Sequence, residues 1–363
     1  MDSLKAYYEK NEQRLTIAFF VGGFIFDILM VERIDSWAMI GQQCAYLILI
    51  LLTLNQIFFE QNQERVPPEQ MGRLKRWYFE YRSAAIHFFF GTLLNMYTIF
   101  FFKSSSLLVS FMFMGFLVFL LYANESPRFR AMGLTFKFAL FSVCLLSFSS
   151  STVPIFVGYM GKTVFLFSVA LGCLPLVLQT WWIQIYRPEL FERAKSMILL
   201  PMLTVLATYV SLYFLRLTPP VPLSIPFIGV YHGVERSGDS YQLAHQRPWW
   251  RVWQNGDQEF IAQKGDKIFV AFRIFSPTRF SDQVSMRWYW YDNRSGWTLQ
   301  DSIPIKIVGG REEGFRGYGV KANYQPGQWK VQVETTDGRE IGRVYFQLDT
   351  GPEEPRSFEY DSM

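Results

Sequence analysis

The 363-residue chain predicts a polytopic all-α membrane bundle of about seven transmembrane helices, followed by an all-β antiparallel sandwich domain. Three observations carry that expectation. Half of the residues are hydrophobic and 18% are aromatic, more than a soluble chain usually holds. Mean hydropathy is nevertheless only +0.10, because two unlike halves are averaged. Long apolar runs fill residues 1–216, whereas the remainder holds charges, turn dipeptides and short alternating segments.

A helix crossing the hydrocarbon layer needs about 20 predominantly apolar residues. Seven stretches qualify: Leu15 to Val31, Ser36 to Phe59, Ala84 to Phe102, Leu107 to Ala123, Leu134 to Thr152, Lys162 to Trp182 and Met197 to Leu215. The fifth ends in the polar run Ser149, Ser150, Ser151 and Thr152. Orientation follows from basic residues, which accumulate in short cytoplasmic segments. About 14 Lys and Arg fall in the N-terminal segment and in the second, fourth and sixth loops, against about 4 in the alternate ones. This strict alternation supports seven spans, a cytoplasmic N-terminus and a C-terminal domain on the far side.

Glu32, Arg33 and Asp35 follow the first apolar run directly, with no small-x-small cleavage signal, so that run reads as a retained anchor. Trp37, Trp77, Tyr122, Trp181 and Trp182 fall near the expected interfaces, as an aromatic belt requires. In the second loop, Met71, Leu74, Trp77, Tyr78 and Tyr81 recur at helical spacing after Pro67-Pro68, with Arg73 and Arg76 between them. That pattern predicts a short interfacial helix.

The expected domains are 1–216 (membrane bundle), 217–226 (Pro-rich linker), 227–351 (sandwich) and 352–363 (flexible tail). Pro219, Pro220, Pro222 and Pro226 make the linker a stiff spacer. Beyond it, Lys267 to Phe275, Val284 to Tyr291, Ile303 to Val308 and Trp329 to Glu334 are rich in β-branched and aromatic residues. Asn255-Gly256, Pro326-Gly327 and Asp337-Gly338 punctuate them as turns. Trp329, Val331 and Val333 alternate with Lys330, Gln332 and Glu334, and Asp337-Gly338 leads into Val344, Phe346 and Leu348, a hairpin signal. All three cysteines, Cys44, Cys144 and Cys173, lie in apolar runs, so the C-terminal domain has neither a disulfide nor a CxxC site. That domain balances about 17 basic against 18 acidic residues and lacks the basic footprint of a nucleic-acid binder.

Gly309-Gly310-Arg311, Gly314-Phe315-Arg316, Gly327-Gln328-Trp329-Lys330-Val331 and Asp337-Gly338 to Phe346 together resemble a bacterial domain family. It is the domain of unknown function numbered twenty-nine-fourteen. The resemblance rests on turn and core residues and transfers no catalytic residue. It implies a protein of the bacterial inner membrane with its sandwich in the periplasm.

The chemical motifs are sparse. Gly158 to Thr163 ends like a phosphate-binding loop, but Phe156 stands where that loop requires Gly, so a turn at the membrane edge is the better reading. Asp27, Gln42, Gln43 and His87 are polar candidates within the spans, where a buried charge is costly enough to suggest function. Asn95 and Gln56 suit helix-to-helix hydrogen bonding. His232 and His245, even with Glu235 and Asp239, match no metal-ligand spacing, so no metal and no cofactor is expected. Val284 to Tyr291 places Trp288 and Trp290 on one strand face and Tyr289 and Tyr291 on the other. With Trp249 and Trp250, the tyrosines form the candidate binding surface for a glycan or a partner protein. No Ser-His-Asp set, paired-carboxylate motif or Cys nucleophile supports an enzyme. The expected function is therefore non-enzymatic binding of an envelope protein or glycan by a domain anchored in the lipid bilayer. Solute or lipid handling in the bundle, and ligand sensing through a separate partner, stay open.

Overall fold

The computed structural model describes residues 34–60, 72–104, 133–238, 240–278, 280–310 and 314–363, together with 111, 113, 115–120 and 122. Five helices are long and apolar enough to cross a membrane. They are Trp37–Glu60 (α1), Tyr81–Lys103 within the longer Arg73–Lys103 (α2), Leu134–Val157 (α3), Lys162–Tyr186 (α4) and Pro188–Phe214 (α5). The expected span from Leu15 to Val31 lies outside the described residues, and so does much of that from Leu107 to Ala123, which is helical where described.

Two boundaries differ from expectation. The separate interfacial helix does not form, because no proline interrupts the chain from Arg73 to Lys103 and one 31-residue helix runs through. At ~1.5 Å per residue it outruns a hydrocarbon layer ~30 Å thick, so its basic first turns project beyond it. α5 starts well before Met197 and passes through a π-helical turn at Lys195–Leu199.

α3 is the most enclosed helix, with its polar residues packed inside the bundle. The Ser149 hydroxyl donates to the Leu145 carbonyl at 2.9 Å, and Ser150 shares a 2.8 Å hydrogen bond with Tyr209 of α5. A Cβ on Gly172 of α4 would meet Ser149 Oγ at 2.5 Å, so the bare glycine lets α3 and α4 approach closely. The polar end of the expected fifth span is thus a helix-packing surface.

Eleven strands follow among the described residues. Ser224–Tyr231 (β1), Ile268–Phe275 (β5) and Phe315–Lys321 (β8) form a three-stranded sheet in the order β1-β5-β8. A five-stranded sheet is ordered β4-β10-β9-β6-β7, from Glu259–Ala262 (β4), Ser281–Asp292 (β6), Gly296–Val308 (β7), Gly327–Thr335 (β9) and Glu340–Thr350 (β10). Its pairs are antiparallel except β4 with β10. Gly233–Ser237 (β2), Ser240–His245 (β3) and Glu359–Ser362 (β11) make a third sheet.

Alternation explains the core. Val270, Phe272 and Ile274 from the first sheet share one buried cluster with Val284, Met286, Trp288, Trp329, Val331, Val333 and Phe346 from the second. The residues between them in sequence face outward. Residues 352–363, expected as a flexible tail, instead return to the fold. β11 pairs with β3, Arg356 bonds Asp266 at 2.8 Å, and Met363 is buried. The signal was missed because the segment holds too few apolar residues to show a period. Likewise the expected spacer does not stand free. Thr218 and Val221 are buried beside Phe101 and Val164, Leu223 joins the sheet core, and β1 begins at Ser224.

The sheets are therefore fixed against the helices. Tyr213 near the end of α5 donates to Asp337 Oδ2 at 2.6 Å, and Arg339 Nε donates to the same oxygen at 3.0 Å. The Arg339 guanidinium lies 4.7 Å from the centre of the Tyr213 ring. Burial pushes the Asp337 carboxyl up, but Arg339 and the hydrogen bonds from Thr335, Tyr213 and Arg339 outweigh it and hold it below the usual carboxylate range. In the α3–α4 turn, Met160 N–H donates to Asp282 at 2.8 Å, and Ser281 N–H donates to the Gly158 carbonyl at 2.8 Å. That GYMGKT segment is a docking turn. We predict that Asp337→Ala, which strands the buried Arg339, destabilises the β region by roughly 3–5 kcal/mol. It should also expose residues 216–223 to protease in the detergent-solubilised protein. A cleavage rate and near-UV melting midpoint equal to the parent's would contradict this.

Candidate functional site

The end of the five-stranded sheet farthest from the helices carries the most distinctive surface. Strand register builds it. Tyr291 on β6 pairs with Trp297 on β7, Tyr289 pairs with Lys330 on β9, and Lys330 pairs with Tyr345 on β10. A bulge after Trp288 leaves Gln300 without a partner, since Trp288 opposes Asp301 and Tyr289 opposes Leu299. That single extra residue reverses the alternation of β7 and puts Trp297 on the outer face beside Tyr291.

The side chains then lie across the strands. Ring centres of Tyr291 and Trp297 are 5.2 Å apart, and those of Trp297 and Tyr345 are 5.7 Å apart, giving one continuous aromatic ridge. Lys330 Nζ lies 4.3 Å from the Tyr289 ring centre and 5.2 Å from that of Trp297. Burial, helped by Arg343, lowers the Lys330 pKa from its ordinary value. Arg287 on the same face pairs with Glu334 at 3.1 Å, and Arg343 pairs with Glu340.

Beside the ridge is a cleft of about 340 Å³. Trp297 and Tyr345 wall it together with the buried Trp329 and Phe346, Gln328 and Gln347 line it from adjacent strands, and Gln254, Gln258 and Glu259 line it as well. Those last residues end the loop between β3 and β4, which exposes Trp249 (82%), Trp250 (50%), Val252 (82%) and Trp253 (69%). Four large apolar side chains this exposed within five residues are more than scattered surface hydrophobics.

The loop is held firmly at its base. The Asp257 carboxylate accepts from Gln246 N–H at 2.8 and 3.1 Å, while Asp257 N–H donates to the Val230 carbonyl at 2.7 Å. Gly256 has φ +65°, and a Cβ there would stand 2.0 Å from the Val230 carbonyl oxygen, so only glycine fits. Arg247 bridges to the Gln254 carbonyl, and Arg251 pairs with Glu259 at 3.0 Å.

Beneath the loop, His232 Nε2 lies 3.5 Å from Asp257 Oδ2, and His245 Nε2 lies 3.2 Å from Asp361 Oδ1. Tyr231 donates to Asp361 at 3.1 Å, and Arg247 also pairs with Asp361. The two histidines thus have separate carboxylate partners. Asp239 lies outside the described residues and Glu235 is exposed. Among the described residues, no group of three His, Cys, Asp or Glu is arranged to hold a metal ion.

Tyr289 and Tyr291 lie on the outer face, with Trp288 fully buried and Trp290 half-buried on the opposite one. Trp249 and Trp250 lie on the exposed loop. Asp27 is outside the described residues. Gln42 bonds Tyr46 at 3.1 Å and Gln43 bonds the Met39 carbonyl at 3.2 Å, each one turn along α1. His87 is half-buried on α2. Sequence reading missed Trp297, Tyr345, Lys330 and the four glutamines. Trp297 was recoverable, because Tyr291 and Trp297 flank the short turn after Asp292.

Residues 281–348 match the family described as Protein of unknown function (DUF2914). No curated protein matches the chain. Among solved structures, an immunoglobulin-like protein from Pseudomonas aeruginosa is 12% identical over 35% of this chain and 97% of its own, with a TM-score of 0.22. A β-glucosidase from Listeria innocua in complex with glucose is 13% identical over 26% of this chain, with a TM-score of 0.20, and the chain spans 15% of that protein's length. Scores at this level establish neither a shared fold nor a shared activity.

The buried pair beneath the loop generates a pH prediction. Burial raises the Asp257 carboxyl to about 6, against the pull of the Gln246 hydrogen bonds and of His245 and Arg247. Burial, reinforced by Arg356 and opposed by Asp266, lowers His232 to about 4. A raised carboxyl contributes stability that is present below its usual 3.8 and lost as pH climbs through 6. A lowered imidazole contributes stability that is present above its usual 6.5 and lost as pH falls through 4. Between pH 4 and 6.5 the two trends oppose and nearly cancel. We predict that Asp257→Asn uncovers the histidine term, so that stability rises by about 3 kcal/mol from pH 4 to 6.5 while the parent changes far less. Melts of the full-length protein across that range would refute this if the variant's profile matched the parent's.

Proposed function

We propose that the chain is a seven-span protein of the bacterial inner membrane, with its N-terminus in the cytoplasm and its β-sandwich in the periplasm. In this reading the sandwich binds an envelope partner, protein or glycan, without catalysis. The carrying observation is the aromatic ridge Tyr291–Trp297–Tyr345, placed at the end of the sheet away from the helices and flanked by an exposed tryptophan loop. Such a surface is expensive to leave in water and gains most when covered. Arg287 and Arg343 beside it are already paired and Lys330 lies against the rings, so its affinity would come from rings and amides.

The alternation of basic loops supports the orientation, since an uneven number of spans separates a basic N-terminal segment from the C-terminal domain. Gln42 and Gln43 are bonded within their own helix, and Gln179 bonds Asn55 between helices. That arrangement favours an anchoring bundle over a solute path.

Two measurements test the proposal. Ser295→Cys, in the β6–β7 turn, should react with a membrane-impermeant maleimide in intact spheroplasts; labelling only after lysis would reverse the orientation. A diazirine-bearing residue in place of Tyr291 should form saturable adducts in living cells, at several times the yield of the same probe in place of Val320 on the other sheet. Equal yields would remove the ridge as the binding surface.

A further inference from the structure

We propose that the cleft between the Trp297–Tyr345 wall and the base of the tryptophan loop is a subsite for an uncharged, polyhydroxylated ring, that is, a neutral pyranose unit of an oligosaccharide. This rests on the binding reading above and commits it to one ligand class.

The chemistry of the lining decides. Gln254, Gln258, Gln328 and Gln347, four residues that end in primary amides, line the cleft. Each amide offers a carbonyl acceptor and an NH₂ donor side by side, the pair that two adjacent hydroxyls on a ring can engage together. Gln347 Nε2 donates to Asp349 at 3.1 Å, whereas the side chains of Gln254, Gln258 and Gln328 have no partner among the described residues. An apolar ligand would bury those amides unsatisfied, at a cost of about 1–3 kcal/mol each. An anion would find no free cation in the lining. Arg251 is paired with Glu259 at 3.0 Å, and Lys330 lies under the rings of Tyr289 and Trp297.

The rings supply the complementary half. A pyranose presents C–H groups on its flat faces and hydroxyls at its rim. Aromatic faces carry the negative side of a quadrupole and attract such weakly positive C–H edges. Trp297 and Tyr345 form the wall, while Gln328 and Gln347 are directly paired across neighbouring strands at the same level. Aromatic rings and amide residues thus line one cleft. Its volume of about 340 Å³ is at the small end of the usual range for ligand sites, ~300–1,000 Å³. The rest of the ridge and the loop tryptophans lie beyond it, where further units of a chain would run.

The full-length protein in nanodiscs should bind cellohexaose and the β-1,4-linked N-acetylglucosamine hexamer, read by calorimetry, at least 10-fold more tightly than hexagalacturonate. Trp297→Ala should weaken the better neutral ligand at least 10-fold, and Gln328→Ala with Gln347→Ala about 5-fold or more. Trp297→Phe should retain most binding, and Tyr360→Ala, which removes an exposed ring on β11, should change nothing. Near-UV spectra verify folding of each variant, and the glutamine pair carries the test if Trp297→Ala does not fold. Absence of binding by both neutral hexamers, preference for the charged one, or unchanged binding in both the glutamine and Trp297 variants would overturn the assignment. Saturable protein adducts at position 291 without oligosaccharide binding would leave the broader reading standing and sink this one; absence of both would sink both.

Discussion

The contact on which the arrangement depends is the hydrogen bond from Tyr213 to Asp337, with Arg339 over the Tyr213 ring. A buried acid and a buried base on one turn are costly to desolvate, and that cost is offset only while each satisfies the other and the tyrosine. The β9–β10 turn is thus held on the end of α5 in one orientation. Met160 and Asp282 add a second fixed point at the start of β6. Two attachments at the same end of the sheet leave the opposite ends of its strands facing away from the helices. The buried prolines of the connection fill the junction.

Given that orientation, strand register decides which side chains share the exposed end. Alternation alone would turn Trp297 inward, since Ser302 and Pro304 of β7 oppose the outward Arg287 and Ser285. The bulge at Gln300 reverses the parity and places Trp297 where it reaches both Tyr291 and Tyr345. Shifting a strand by one residue exchanges its faces, so the composition of the surface depends on one inserted residue. The same displacement adds the Trp297 ring to that of Tyr289, which the β6–β9 register already sets beside the Lys330 ammonium.

These dependencies explain what sequence could reveal. Helices α3 and α4 and the Trp329 to Val333 strand were legible, because apolar runs and period-two alternation are local properties. Tyr289 and Tyr291 were assigned to the correct face for the same reason. The long α2 was cut short because hydropathy marks the lipid-spanning part of a helix and ignores a polar extension. Trp297, Tyr345 and the four glutamines are not legible as a group in sequence, since Gln347 reaches the end of the β3–β4 loop through the parallel pairing of β4 with β10. The carboxylate partners of His232 and His245 are not legible in sequence, because Asp257 and Asp361 come from a loop base and from a C-terminal segment with too few apolar residues to show a period.

The tryptophan loop and its costly base make sense together. Leaving a carboxylate and an imidazole under cover at His232 and Asp257 forgoes hydration that either would have at the surface. What the buried carboxylate provides is a fixed loop base. It binds Gln246 at one end of the loop while its own N–H is tied to β1 at the other. A loop held at both ends loses less conformational entropy when a ligand settles against it, and that saving appears directly as affinity. Tryptophan suits such a loop because it presents a large rigid surface with few torsions to freeze. The buried pair therefore belongs to the binding surface as the support that keeps exposed rings and amides in register before anything binds.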